Sequence, residues 1–221
     1  MKYPAVYVYK RTSDKGQELK YSIRSLENVK NWNGEVFVCG DRESWFSDEI
    51  KLIDTFVRSH IKHKDVGNKR MAIVKDKRVP DDFIYMNDDF ICISPVEIKP
   101  LHQGEMPHDS GTNHWQKMKR KTKAYLIEQG IENPLDYDIH VPIILNKQNI
   151  LDLREKVGER SEKDQMCFRT LYGNIFKIGG KHYKDRKTQT SKLLKGDLLS
   201  TRIFAPELKK LFPKPSKFER I

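Results

Sequence analysis

The amino-acid sequence predicts an α/β chain: a central, mostly parallel sheet flanked by helices, with a basic C-terminal extension. Two observations predict the sheet. Short apolar runs rich in Val, Ile, Tyr and Phe alternate with longer segments whose apolar residues recur at helical spacing. Through the first half of the chain these follow one another as β-α-β-β-α-β, an order that builds a mostly parallel sheet covered on both faces. A third observation sets the scale: 221 residues and 26.1 kDa suit one sizeable domain, residues 1–221, long enough to bury a core.

Each element has its own warrant. Residues 5–9 (AVYVY) form the first strand. Leu19, Ile23 and Leu26 stand at i, i+4 and i+7 within residues 18–31, a helical stripe with Ser13 or Asp14 upstream to cap it. The turn-like NWNG precedes a second strand at 35–39 (EVFVC), and KLIDT at 51–55 is a third. A second helix spans 67–76, opening at Gly67, and FIYM at 83–86 is the fourth strand. Beyond it the pattern predicts a helix over 113–129, a strand over 139–145 and a helix after Ser161. The ending FPKPSKFERI is broken by proline, and the sequence contains no internal repeat.

Composition excludes several classes. No window approaches the roughly 18 apolar residues of a membrane span, and the first residues lack the apolar core of a signal peptide, so a cytoplasmic protein is expected. Cys39, Cys92 and Cys167 are widely spaced, two of them within strand-like runs, which argues for reduced core thiols rather than a disulfide framework or CxxC metal site. There is no GxGxxG and no Walker loop. The net charge of +11 is uneven: residues 175–221 hold 13 Lys and Arg against 4 Asp and Glu, and WQKMKRKTK at 115–123 holds five bases and no acid. Such clusters favour polyanions, because neutralised phosphates release counterions, although a solvated surface is the commoner explanation of a charge run, since basic character alone explains no chemistry.

One motif bears on chemistry. FIYMNDDF, residues 83–90, sets Asn87, Asp88 and Asp89 at the end of an apolar strand, the edge of a parallel sheet where ligands bind. Carboxylates there need solvent, a cation or a donor. A plain Asx turn would serve, and so would hard Mg²⁺ or Mn²⁺, which takes one or two carboxylates and completes its shell with water and phosphate oxygens.

FIYMNDDF resembles the strand-plus-acidic DxD-type motif of nucleotide-sugar glycosyltransferases with the GT-A (Rossmann-like) fold, and is especially similar to the Stealth group of capsule and sugar-phosphate transferases. The resemblance extends over ELKYSIRSLENV (18–29), EVFVCGD (35–41), residues 68–72, IHVPIILNK (139–147) and the ending LFPKPSKFE (211–219), which together span most of the chain. It departs in two places: KRTSDKG follows the first strand where the family has a TWVDGSD-like signature, and NDD replaces a strict DxD. The resemblance implies a single GT-A-like domain, with 1–100 binding the nucleotide sugar, 101–174 serving acceptor and catalysis, and 175–221 as a basic segment. It implies an Mn²⁺ or Mg²⁺ cofactor and a UDP-sugar as the first-ranked donor. It makes Asp89 the metal ligand, with Asp88 at the metal or donor ribose, Asn87 a weaker contact, and His140 at metal or acceptor.

Position supplies the remaining candidates. Arg11 and Asp41 follow the first and second strands, where base, ribose or phosphate would lie, and Tyr9 is either a stacking ring or core. Asn68, Lys69 and Arg70 open the second helix, where a helix N-terminus and cations hold phosphate. Asp164 and Glu162, in SEKDQMCFRTLY, are candidate general bases, although Ser161 and Asp164 also have the spacing of a capping box. Trp115, Lys119, Arg120 and Lys121 are the candidate surface for an acceptor polyanion, either DNA bearing hydroxymethylated pyrimidines or an anionic glycan. Three functions are therefore expected: a metal-dependent glycosyltransferase, a Stealth-like sugar-1-phosphate transferase, or a basic nucleic-acid-binding protein whose NDD is only a turn.

Overall fold

The computed structural model describes all residues except 12–15, 56–58, 108–110, 159–164, 186, 189–197, 202–204 and 221; for 187, 188, 198–201, 205 and 206 it describes the backbone only. In chain order the first half contains β1 (Tyr3–Tyr9), α1 (Gln17–Ser25) with a 3₁₀ turn (Leu26–Asn28), β2 (Trp32–Gly40), β3 (Ile50–Ile53), α2 (Lys62–Lys75), β4 (Asp82–Asn87) and β5 (Phe90–Cys92). There follow β6 (Leu101–His102), α3 (His114–Glu128), β7 (Ile143–Asn146), α4 (Lys147–Val157) and α5 (Phe168–Ile175). The chain closes with β8 (Lys181–His182), β9 (Lys187–Thr188), β10 (Leu198–Thr201) and α6 (Ala205–Leu211). These make two compact units, one of Met1–Ile98, His140–Leu145 and Arg186–Ile221, the other of Lys99–Ile139 and Asn146–Asp185. The chain leaves the first unit after Ile98 and returns to it twice, a path that contiguous segments of sequence do not reveal.

The first unit is built on a five-stranded, mostly parallel sheet in the order β3-β2-β1-β4-β7. β1 is central: Val6 lies opposite Phe37 on one side, and Ala5 opposite Ile84 on the other. Consecutive residues Ala5–Tyr7, Val36–Cys39 and Phe83–Met86 are all buried, as both faces of a covered parallel sheet require, and this is why these strands read as continuous apolar runs. The stripe Leu19, Ile23 and Leu26 of α1 and its 3₁₀ turn is buried as expected. The same helix satisfies β5: Ser22 donates to the Phe90 carbonyl, Ser25 Oγ accepts from Cys92 N–H at 3.0 Å, and Asn28 Nδ2 donates to the Cys92 carbonyl at 2.8 Å. β5 pairs antiparallel with β10 in a small second sheet.

Two boundaries differ from the sequence expectation. Gly16 occupies the N-cap of α1 without a side-chain cap, while Ser13 and Asp14 lie outside the described residues. α2 begins at Lys62, not Gly67, because the run KHKDV is helical and the glycine is absorbed inside the helix at a propensity cost of about 1 kcal/mol. Asn68, Lys69 and Arg70 are therefore mid-helix, where their backbone N–H groups serve the helix itself and cannot receive a phosphate. All three cysteines are free and buried, and burial pushes the Cys39 and Cys92 thiols up to about 12, out of reach of thiolate chemistry.

The ending LFPKPSKFE is a clasp within the first unit. Phe212 joins Tyr21, Ile91 and Leu208 in one apolar cluster, and Phe218 is buried. Ser47 N–H donates to the Phe218 carbonyl at 3.0 Å, and Arg220 N–H to the Trp45 carbonyl at 2.8 Å. Arg24 grips Glu219 with both arms, Nε to Oε1 at 2.8 Å and Nη2 to Oε2 at 2.6 Å. Burial opposes ionisation of Glu219, but Arg24 and the Ser216 N–H outweigh it and hold the carboxyl below its ordinary value of 4.5. A depressed folded pKa contributes stability that is present above the unfolded pKa and lost as pH falls through the folded one. Glu219→Gln is accordingly expected to destabilise the protein by about 3 kcal/mol at neutral pH, with the gap to wild type closing below pH 4.5. Urea melts across pH test this, and a pH-independent difference would show that the ion pair contributes nothing.

The second unit packs α3, α4 and α5 together around Leu126, Leu153, Leu171 and Tyr172. Asn113 caps α3 in a reciprocal capping box with Gln116, and Asn146 caps α4. Gly173 admits the Tyr137 ring so closely that no Cβ would fit. Among the described residues no helix is long and apolar enough to cross a membrane.

Candidate functional site

The strand order of the first unit reverses at β1: the chain runs outward to β2 and β3 on one side, then crosses to β4 on the other. Such a reversal opens a crevice beyond the carboxyl ends of the two adjacent strands, because the connections leave in opposite directions. The NDD motif stands there. Asn87 ends β4 opposite Val8 of β1, and Asp88 and Asp89 form the turn into β5. All three are half-buried, between the buried Met86 and Phe90. Burial raises the Tyr7 phenol pKa, and the Asp88 charge adds to the shift.

Among the described residues no three His, Cys, Asp or Glu side chains converge, so an all-protein cage of the zinc type is not built from them. Two adjacent hard carboxylates at a strand end do fit Mg²⁺ or Mn²⁺, whose other positions are filled by water and phosphate. His140 lies in the bend before β7 rather than in a strand, and no three-ligand group unites it with the aspartates.

On the same sheet edge, the segment after β1 carries a tethered arginine. The Arg11 N–H donates to Asp41 Oδ2 at 2.7 Å, its Nε to Glu43 Oε1 at 2.9 Å, and its Nη2 to the Arg42 carbonyl. Glu43 is buried and also accepts from the Tyr9 hydroxyl at 2.7 Å. Tyr9 is therefore core: only 1% of it is exposed, and it acts on the site by holding Glu43 rather than by stacking on a ligand. Arg11 by contrast keeps 57% of its side chain in solvent. Gly16 completes this packing, since a Cβ there would stand 2.9 Å from the Tyr9 hydroxyl and 3.0 Å from Glu43 Cγ. Glu43 escaped the sequence reading because DRESW resembles any charged loop.

A cleft of about 230 Å³ continues from Asp41 and Lys10 past the ends of β2 and β3, lined also by Gly40, Thr55, Ser59, His60, Asp65 and Lys69. Gly40, at φ 135°, lies so close to the Tyr9 carbonyl that a side chain there would collide with it. Lys69 is a wall residue, not a free cation: it is buried and bound to Asp65 at 2.8 Å. Burial opposes the Asp65 carboxylate, yet the hydrogen bonds from Lys69 and Ser59 N–H leave its pKa below the ordinary value. The i, i+4 spacing of Asp65 and Lys69 was the signal available for this pair. Among the described residues the Thr55 hydroxyl oxygen, buried in the cleft, has no hydrogen-bond partner. Asn68 and Arg70 are half-buried along α2.

The acceptor candidates lie in the second unit, and they do not form one basic face. Lys119 is 4% exposed, bound to the buried Asp136, with its ammonium 3.8 Å from the Trp115 ring centroid. Its charge is thereby neutralised inside the unit and is withdrawn from any polyanion. Arg120 is half-buried and donates to the Gly111 carbonyl, and Lys123 donates to the Met106 carbonyl at 2.8 Å. Of the five bases in WQKMKRKTK only Lys117 and Lys121 are exposed. Glu162 and Asp164 lie outside the described residues; the described helix of that region starts at Phe168 with Cys167 at its N-cap. No protein-family model matches the chain, and no curated protein matches it.

Proposed function

We propose that the chain is a GT-A-type glycosyltransferase that moves a sugar from a nucleotide-sugar donor to an acceptor hydroxyl with the help of Mn²⁺ or Mg²⁺. The observation that carries this reading is the Asp88–Asp89 turn at the carboxyl end of β4, at the reversal of strand order and on the same sheet edge from which Arg11 and Asp41 leave β1 and β2. In this reading Asp89 and Asp88 hold the metal, which when bound offsets the charge developing on the departing diphosphate. Arg11, its guanidinium oriented by Glu43, faces the donor's phosphates as a preorganised cation. Asp41 accepts hydrogen bonds from ribose or base at the mouth of the cleft. Asp164 takes the acceptor's proton. Asp164→Asn is expected to leave donor binding intact and slow transfer at least about 100-fold; a loss of roughly 1 kcal/mol of stability with near-normal turnover would make it a helix cap instead.

The reading is tested by a hydrolysis screen of nucleotide sugars with and without Mn²⁺. Metal-dependent release of a nucleoside diphosphate is the expected result. Release of a monophosphate would indicate attack on phosphorus, as in sugar-1-phosphate transfer. No turnover, together with no donor-dependent rise in Tm across the panel, would overturn the enzyme reading.

A further inference from the structure

Trp115 is 46% exposed, although an indole gains more from burial than almost any other side chain. It is nevertheless held fast. Its Nε1–H donates to Asp138 Oδ2 at 3.0 Å, and Lys119, itself locked by Asp136, places its ammonium over one face of the ring. Asp136 is fixed in turn by the Asp138 N–H at 3.0 Å. An exposed aromatic ring with its orientation fixed from two directions is a preorganised stacking platform, because little rotamer entropy remains to be lost on binding.

The surrounding charge indicates what it stacks on. At about 100° per residue, Lys119 lies about 40° from Trp115 around α3, whereas the exposed Lys117 and Lys121 lie about 160° and 120° from it, off the face that carries the indole. The platform's polar edge is instead the Asp138 carboxylate, with the Lys119–Asp136 pair electrically closed beside it. A phosphate would meet a carboxylate there, while a hydroxyl would find an acceptor. We infer that Trp115 and Asp138 form a saccharide-binding platform on the second unit, taking an uncharged sugar ring on the indole with its hydroxyls donating to Asp138. The inference rests on the transferase reading only in naming that saccharide as an acceptor.

The full chain is titrated with soluble oligosaccharides of β-linked glucose, α-linked glucose and β-linked N-acetylglucosamine, and separately with single-stranded DNA. Wild type is expected to bind at least one oligosaccharide with little dependence on salt. Trp115→Ala should weaken that binding at least about tenfold, and Asp138→Asn should also weaken it, while Trp115→Tyr retains it within a few-fold. Trp115→Tyr also guards against a folding defect in the alanine variant, checked by thermal melting. No saccharide binding to wild type, or equal binding by a folded Trp115→Ala, overturns the inference. So does DNA binding lost in Trp115→Ala without any saccharide binding, which would make the ring a nucleobase platform. Mn²⁺-dependent nucleotide-sugar binding measured on the same variants is expected to be unchanged, so failure of the platform and failure of the donor site read out separately.

Discussion

Replacing Asp89 with asparagine is expected to raise the apparent Kd for the nucleotide sugar in Mn²⁺ at least about 100-fold, while the thermal midpoint moves by no more than a few degrees. Even residues that only support a metal ligand commonly contribute 10- to 100-fold to affinity, so loss of a direct carboxylate ligand should exceed that. The fold should survive because the substitution preserves size and turn propensity at a half-buried position outside the apolar run Phe83–Met86. Asp88→Asn should follow the same direction with a smaller effect. Metal-free affinity is the control, since the difference between the variants and wild type should vanish in EDTA. Wild-type Mn²⁺-dependent affinity in Asp89→Asn would remove the aspartate pair from the donor site and leave NDD as a turn.

The second large effect is on stability. Lys119→Met is expected to destabilise the protein by about 3–5 kcal/mol, because it leaves Asp136 charged in the core of the second unit with, among the described residues, only the Thr170 hydroxyl and the Asp138 N–H as donors. The paired change Lys119→Met with Asp136→Leu should recover much of that loss, since a buried ion pair is often matched by apolar groups of similar volume. Within WQKMKRKTK, polyanion binding, measured as the salt dependence of DNA affinity, should be insensitive to Lys119 and should respond to the exposed Lys117 and Lys121. A stable Lys119→Met variant with a flattened salt slope would instead make Lys119 a phosphate contact.

The strands and the acidic turn were legible from sequence for a common reason. A strand buried on both faces must be apolar without interruption, and it must stop where charge begins, so the end of FIYM by itself puts Asp88 and Asp89 at the sheet's edge. The stripe of α1 and the Asn113 start of α3 were equally local signals. What the chain does with its charges was not local. WQKMKRKTK counts as five bases in sequence, but the fold buries Lys119 against Asp136, seventeen residues away. Arg11 finds Glu43 thirty-two residues along, and Arg24 finds Glu219 across 195. Composition shows that such ions exist, and periodicity shows which face of a helix they occupy. Whether a charge reaches a ligand or is neutralised inside the protein depends on which distant partner the topology brings within hydrogen-bond reach, and only the tertiary structure decided that.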